Sequence, residues 1–287
     1  MIELHCHSTA SDGRLSPEAL IRHAQAEGLR ALVLTDHDTT AGVAEARKTA
    51  AEVGLIFRAG VEIEVDNATG EFHLLGLGVD DLDPRFQAGL GKLQELRKER
   101  NLRIFAKMKD AGLSGDYSDV VALAGDEGLV GRPHFARWLV KRQKVATVQD
   151  AFDKFLGKGQ LFYEKKAALP LQEALELIHG AGGTAVLAHP LSLYLTLTKL
   201  EEALVEWKSW GLDGIEAFHP GAAMSKCRQF EDLGRRLGLK ISAGSDFHGE
   251  NRPDRRLGHT AGGLVIGDEF LEEILGISPA PAEDKAT

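Results

Sequence analysis

The first thirteen residues hold a pattern that suits metal chemistry. Met1-Ile-Glu-Leu-His5-Cys6-His7 is an apolar run ending in His-x-His, and Asp12 follows in a short turn with Ser11 and Gly13. Side chains alternate faces along a strand, so His5 and His7 share one face and Cys6 takes the other. Two imidazoles side by side at a strand end are a ready pair of ligands for a divalent ion, and the turn can bring a carboxylate back to them. Alone, the same residues also describe two histidines solvated at a sheet edge. The rest of the chain decides between the two. His37, Glu62, His73, His189, Asp246 and His248 also stand at the ends of strand-like runs. Each has a bland reading: a lone strand histidine is usually structural, Glu62 has Glu64 as a rival on its face, and Asp246 suits a helix cap. Recurrence across six separate runs is not explained that way. Imidazole plus carboxylate without thiolate suits manganese, with iron or zinc as alternatives, rather than a cysteine-bound structural zinc. Nine ligands exceed the needs of one ion, so two or three divalent ions are expected.

The elements that must position these residues follow a βα rhythm. Ser16-Pro17 starts a helix whose Leu20, Ile21 and Ala24 recur at helical spacing up to Gly28. Ala31–Thr35 is a continuous apolar run of the kind found in buried parallel strands, and it ends in Asp36-His37-Asp38. A helix covers about 43–53. Strands are expected at Leu55–Phe57 and at Gly60–Val65. Asn67–Gly70 is a turn, and Glu71–Leu77 returns. From about Asp80 to Lys166 the pattern is nearly all helical and rich in charge, with helices expected over Pro84–Ala111, Arg132–Lys144 and Thr147–Leu156. No strand-ending ligand falls in this block. The rhythm resumes at Pro170 with strands ending in Ala188-His189-Pro190, in Phe218 and in Gly244-Ser-Asp246-Phe-His248. Strands alternating with helices imply a parallel α/β sheet or barrel. The expected division is 1–79 for the first part of the barrel, 80–166 for a helical insert or cap, 167–277 for the second part, and 278–287 for a disordered tail.

The bulk numbers exclude several classes. The chain has 287 residues, 43% hydrophobic and 27% charged, as in ordinary globular proteins. No apolar run is long enough for a membrane span, and no basic-flanked leader opens the chain. Two cysteines, Cys6 and Cys227, make no disulfide framework, which points to a reducing cytoplasm. A net charge of −9 provides no field for long duplex nucleic acid. An anionic substrate would need locally placed cations.

Taken together, His5-x-His7, Ser11-Asp12-Gly13, Thr35-Asp36-His37-Asp38, Gly60-Val-Glu62, His73, Ala188-His189-Pro190 and Gly244-Ser-Asp246-Phe-His248 resemble the PHP (polymerase and histidinol phosphatase) family over about residues 1–79 and 166–265. The resemblance implies an α/β fold, a distorted (β/α)7 barrel with a helical insertion, and a multinuclear metallophosphoesterase. Carried over residue by residue, His5, His7, Glu62 and Asp246 would hold one ion. Glu62, His73 and His189 would hold a second, with Glu62 bridging. Asp12, His37 and His248 would hold a third ion or meet substrate phosphate. Glu62, Asp12 and His248 would stand nearest the chemistry, in which water activated between two ions attacks phosphorus. Gly131-Arg132-Pro133-His134 and Arg97-Lys98-Glu99-Arg100 resemble the substrate-contacting segments of the nucleotide-phosphatase branch, which includes 3′,5′-nucleoside bisphosphate phosphatases and short-RNA 5′-to-3′ exoribonucleases. Arg97 and Arg100, three apart on a helix, can grip one phosphate together. The implied partner is a small nucleotide or short oligonucleotide, with no membrane and no protein partner.

Three rivals keep or change this chemistry. One is a phosphatase for another small phosphomonoester such as histidinol phosphate. A second is a catalytically silent metal-binding regulatory module, against which the full ligand set speaks. A third is an amidohydrolase, but those barrels commonly bridge their metals with a lysine, and no lysine here ends a strand. Among the remaining histidines, His23 and His179 fall on expected helices, His219 ends a strand, and His259 follows the last ligand strand.

Overall fold

The computed structural model describes residues 1–125, 127–165 and 168–278. The expected tail therefore lies outside the described residues from 279 on, as does Lys166 at the expected insert boundary. The chain forms two compact units. One joins Met1–Gly89 to the chain from Leu169 onward, and the other is Leu90–Ala168.

The first unit opens with β1 (Ile2–Glu3), α1 (Pro17–Ala26), β2 (Ala31–Leu34), α2 (Val43–Val53), β3 (Ile56–Val65) and β4 (Phe72–Leu77). Helix α1 begins where the Ser16 side chain accepts from the Ala19 N–H at 3.1 Å, with Pro17 in its first turn. It buries Leu20, Ile21 and Ala24. Helix α3 (Pro84–Asp110) starts in this unit and continues into the second.

The second unit adds α4 (Tyr117–Ala124), α5 (Arg132–Lys141) and α6 (Val148–Ala151), the last running into a π-helical turn over Phe152–Leu156. It has a core of its own around Ile104, Phe105, Met108, Phe135, Trp138, Leu139 and Phe162. Each large buried side chain there contributes about 1.5–3 kcal/mol.

The first unit then resumes with α7 (Leu171–Gly180), β5 (Thr184–Leu187), α8 (Leu197–Trp210), β6 (Gly214–Phe218), α9 (Met224–Arg236), β7 (Lys240–Ala243) and α10 (Asp268–Leu275). The seven strands are ordered β1-β2-β3-β4-β5-β6-β7. The sheet curls until Cys6, past β1, bridges Phe247, past β7, which nearly closes a barrel. Strands β2, β5, β6 and β7 are buried along most of their length and carry near-continuous apolar side chains.

One feature differs from the sequence reading. The runs Leu55–Phe57 and Gly60–Val65 belong to one strand, β3. Gly60 continues it: a Cβ there would lie 2.7 Å from Val33 Cγ1 and 3.0 Å from the Gly76 carbonyl oxygen, so the close packing of three strands favours glycine. The turn at 67–70 makes the expected return, so β4 runs antiparallel to both β3 and β5 within an otherwise parallel sheet.

Candidate metal centre

The residues around His5 and His7 are held from both sides. The Thr35 N–H donates to the Cys6 carbonyl, the His7 N–H to the Phe247 carbonyl, and the Asp246 N–H to the His5 carbonyl, at 2.8–3.0 Å. Cys6 turns its thiol to the Val33 carbonyl, 3.4 Å away. His5 and His7 are both fully buried. His73 reaches the same barrel edge for a different reason. It lies near the start of β4, and because β4 runs antiparallel its beginning stands beside the ends of its neighbours.

The first ligand group is compact. Glu62 Oε2 lies 3.3 Å from His5 Nε2 and 3.2 Å from His7 Nε2, and Asp246 Oδ1 lies 3.5 and 3.3 Å from the same two nitrogens. Ligands about 2.0–2.2 Å from a common ion at tetrahedral angles stand about 3.3–3.6 Å apart. The buried His5 Nε2, His7 Nε2 and Glu62 Oε2 make no well-aligned hydrogen bond although they stand this close. A buried polar atom left unsatisfied costs about 1–3 kcal/mol. A divalent ion among the four would relieve that cost, and the donor set fits one.

Glu62 also faces a second group. Its Oε1 lies 2.7 Å from His73 Nδ1 and 3.0 Å from His189 Nε2, and those two nitrogens are 3.2 Å apart. His37 Nδ1 approaches Glu62 Oε2 at 3.2 Å, and the donors of His37, Glu62 and His73 all lie within 4.8 Å of one another. A third group joins His7, Asp12, His37 and His248, with His248 Nε2 3.1 Å from Asp12 Oδ1. The carry-over gave His7 to the first group alone. In the structure its Nε2 faces the first group and its Nδ1 lies 3.9 Å from Asp12 in the third. The structure thus brings all nine candidates together.

Charge follows this geometry. Burial alone would raise the Glu62 carboxyl, but His37, His73 and His5 hold it well below the ordinary carboxylate range. Burial likewise opposes the ionised form of Asp246 and is outweighed by His5, His219 and His7. Burial disfavours the imidazolium of His7, yet Asp246 and Glu62 push its pKa up to about 10. His73, despite burial, is pushed to about 10 by Glu62 and Glu64. For His37 burial prevails, and its pKa falls to about 3.

Several supporting residues were not legible as site residues. Glu216, fully buried in β6, accepts from His5 Nδ1 at 2.9 Å and from the His189 N–H at 2.8 Å. An ionised carboxylate only accepts, so His5 keeps a proton on Nδ1, which leaves Nε2 as the nitrogen it can offer an ion. Glu64 does the same for His73 through Nε2, at 2.6 Å. Ser192 lies 2.8 Å from His189 Nδ1. Glu3 accepts from the N–H groups of His5 and Ser245, both at 3.0 Å, and so ties the first ligand segment to the last. The one available signal was a lone carboxylate within otherwise apolar Gly214-Ile-Glu-Ala-Phe218. A Cβ on Gly244 would fall 2.3 Å from His5 Cβ and 2.4 Å from Glu216 Oε1, so only glycine fits there. His189 and Asp246 both have positive φ, 25° and 50°, a strain of about 1–3 kcal/mol each that the surrounding bonds sustain.

The four expected substrate residues belong to the second unit. Arg97 Nη1 donates to the Gly128 carbonyl at 3.4 Å, and the guanidinium of Arg132 lies over the Tyr163 ring at 5.7 Å. Arg100 is buried and donates to Asn101 Oδ1 at 2.6 Å. His134 Nδ1 accepts from the Gly131 N–H at 3.0 Å, closing the first turn of α5. His259 Nδ1 lies 3.0 Å from the Leu257 carbonyl and outside the three ligand groups. No helix among the described residues is long and apolar enough to cross a membrane.

Comparison with known proteins sets this site in context. Residues 3–173 match the PHP domain family. A 5′-3′ exoribonuclease of Haemophilus influenzae is 39% identical over 246 residues, 86% of this chain and 89% of that protein. A 3′,5′-nucleoside bisphosphate phosphatase of Chromobacterium violaceum is 36% identical over 259 residues, 90% and 91% of the two chains. A solved structure from Chromobacterium violaceum, named as an amidohydrolase and holding sulfate, superposes with a TM-score of 0.81 at 34% identity over 99% of each chain.

Proposed function

The chain belongs to the PHP domain family, and from that premise we propose that it is a metal-dependent phosphoesterase of nucleotides. Its substrates in this reading are 3′,5′-bisphosphonucleosides, from which it removes phosphate, or short 5′-phosphorylated oligoribonucleotides, from which it removes nucleotides one at a time. The observation that carries the reading is Glu62, whose two oxygens face two different groups of imidazoles. A carboxylate so placed is suited to serve two ions at once.

We propose two or three divalent ions, manganese first, with iron or zinc as alternatives. When bound, such ions acidify water and neutralise charge on phosphoryl oxygens. The chain's own part is to hold the ligands still. Glu216 and Glu64 fix the protonation of His5 and His73, and Glu3 ties the His5 segment to the Asp246 segment. In this reading Asp12 and His248 lie closest to the reacting phosphate, and Arg97, Arg100, Arg132 and His134 meet the phosphate that is not cleaved. Two buried thiols and no disulfide among the described residues suit a reducing cytoplasm.

Two observations bear on the rivals. Both curated relatives named above act on nucleotide or RNA phosphates by their names, which favours nucleotides over histidinol phosphate. The similar structure named as an amidohydrolase holds sulfate, a tetrahedral oxyanion with the shape of phosphate. Turnover of a phosphoester panel beside an amide panel, with added Mn²⁺, tests the proposal. Bisphosphonucleosides or short 5′-phosphorylated RNA should give the highest kcat/KM. Preferential amide turnover, or equal rates on simple phosphomonoesters, would reject it.

A further inference from the structure

Asp246 offers the first ligand group one oxygen only. Its Oδ1 faces His5 and His7, while its Oδ2 turns toward two buried residues outside the nine-ligand set. These are His219, just past β6, and Arg255, on the loop after β7. His219 Nε2 lies 3.2 Å from Oδ2, and Arg255 Nη1 lies 3.5 Å from it.

Hydrogen-bond bookkeeping fixes what His219 does. Its Nδ1 lies 3.1 Å from the Gly221 N–H, which can only donate, so Nδ1 presents a lone pair. A neutral imidazole then carries its proton on Nε2, and the acceptor in reach is Asp246 Oδ2. Arg255 Nη1 also stands 3.0 Å from Nε2, but a protonated Nε2 cannot accept from a guanidinium. Nη1 donates to the Ser245 carbonyl at 3.5 Å and stands 3.5 Å from Asp246 Oδ2 as its ion-pair partner. Gly221 is part of the device: a Cβ there would lie 3.0 Å from His219 Nδ1 and crowd the ring that its own N–H orients.

We propose that His219 and Arg255 are positioning residues that occupy the outer oxygen of Asp246, so that this carboxylate gives a metal ion one oxygen and not two. A carboxylate free of such donors can bind through both oxygens. The second oxygen would take a position that water or a phosphate oxygen must otherwise fill. The inference rests on the metal reading above and not on the choice of substrate.

The test uses Co²⁺ as the probe, with affinity measured by competition against a chelator and coordination read from the visible absorption spectrum. His219→Ala should weaken Co²⁺ binding by about 10–100-fold, the usual cost of losing an outer partner of a ligand. Its spectrum should shift toward the weaker absorption of a higher coordination number. His219→Gln places an amide N–H near the lost imidazole N–H. It should keep the parent spectrum and lose less than the lower bound of about 10-fold expected for His219→Ala. Arg255→Met, checked for an unchanged thermal transition, should shift the spectrum in the same direction, and it carries the test if His219→Ala does not fold. Parent-like affinity and spectrum in the Ala or Met variant would overturn the inference, and so would equal losses in the Ala and Gln variants. A parent protein that takes up no Co²⁺ would overturn the metal reading as well, which separates the two failures.

Discussion

Replacing Glu62 with Gln is the sharpest single perturbation of the site. Glutamine keeps the shape but supplies one carbonyl oxygen and one NH2 group. Glu62 Oε2 is within 3.3 Å of donors on His5, His7 and His37, and Oε1 is within 3.0 Å of donors on His73 and His189. Whichever way the amide lies, one group loses its oxygen to an N–H and both lose the negative charge. Loss of a single outer partner of a ligand costs about 10–100-fold. Damage to two groups at once should cost about 10²–10⁴-fold in kcat/KM, or about 2.7–5.4 kcal/mol at 1.36 kcal/mol per tenfold. Glu64→Gln, which leaves both oxygens of Glu62 in place and alters the outer partner of His73, should cost no more than about 100-fold. Replacement of His37 or His248 should also cost less than Glu62→Gln. The assay pairs kcat/KM with elemental analysis of the same preparations. A Glu62→Gln protein with its full metal complement and activity close to that of Glu64→Gln would refute the shared-ligand argument.

The remaining predictions concern substrate, protons and packing. Arg132→Ala and Arg100→Ala should each lose about 10–150-fold on a substrate with two phosphates and less on one with a single phosphate, since a charge-assisted contact is worth about 1.5–3 kcal/mol; equal losses on both would assign the arginines to the reacting phosphate or to the fold. His7 and His73, each with a pKa near 10, hold protons at neutral pH in the metal-free protein, and an ion must displace them. Mn²⁺ affinity should therefore rise with pH through the neutral range, with proton release in calorimetry that depends on buffer ionisation heat; a heat independent of the buffer would contradict this. Gly244→Ala would force a Cβ into His5 and Glu216, so it should lower the melting temperature by an overpacking cost of about 1–3 kcal/mol and reduce bound metal; a parent-like metal content would show that the barrel absorbs the methyl elsewhere.

Much of the candidate site was legible because its candidate ligands stand where strands end. His5, His7, His189, Asp246 and His248 could be placed at one edge from sequence periodicity, since βα repeats put all parallel strand ends on one side. His73 was legible as a candidate, but the reason it belongs lies in the hairpin that reverses β4. The partners of the ligands were harder to read. Glu216, His219 and Arg255 matter because of which atoms they meet across the barrel, and those meetings depend on strand register and loop path rather than on local spacing. Glu64 appeared only as a rival to Glu62, although alternation places both on one face and lets each hold a different nitrogen of His73. In the second unit, Tyr117–Ala124 carries no strong start signal beyond Asp116, and its helix escaped individual notice. The buried setting of Arg100 was likewise invisible, because a charged i, i+3 pair on a long helix reads as a solvated face.

The central claim is that this chain is a phosphoesterase whose activity depends on ions held by the nine clustered ligands. It is tested most directly by measuring the metal content of purified protein together with its turnover of a 3′,5′-bisphosphonucleoside, before chelation, after chelation and after Mn²⁺ is restored. Purified protein should hold two to three equivalents of Mn, Fe or Zn, lose turnover with chelation and recover it with Mn²⁺. Protein that holds no metal and turns over the substrate unchanged in chelator would contradict it.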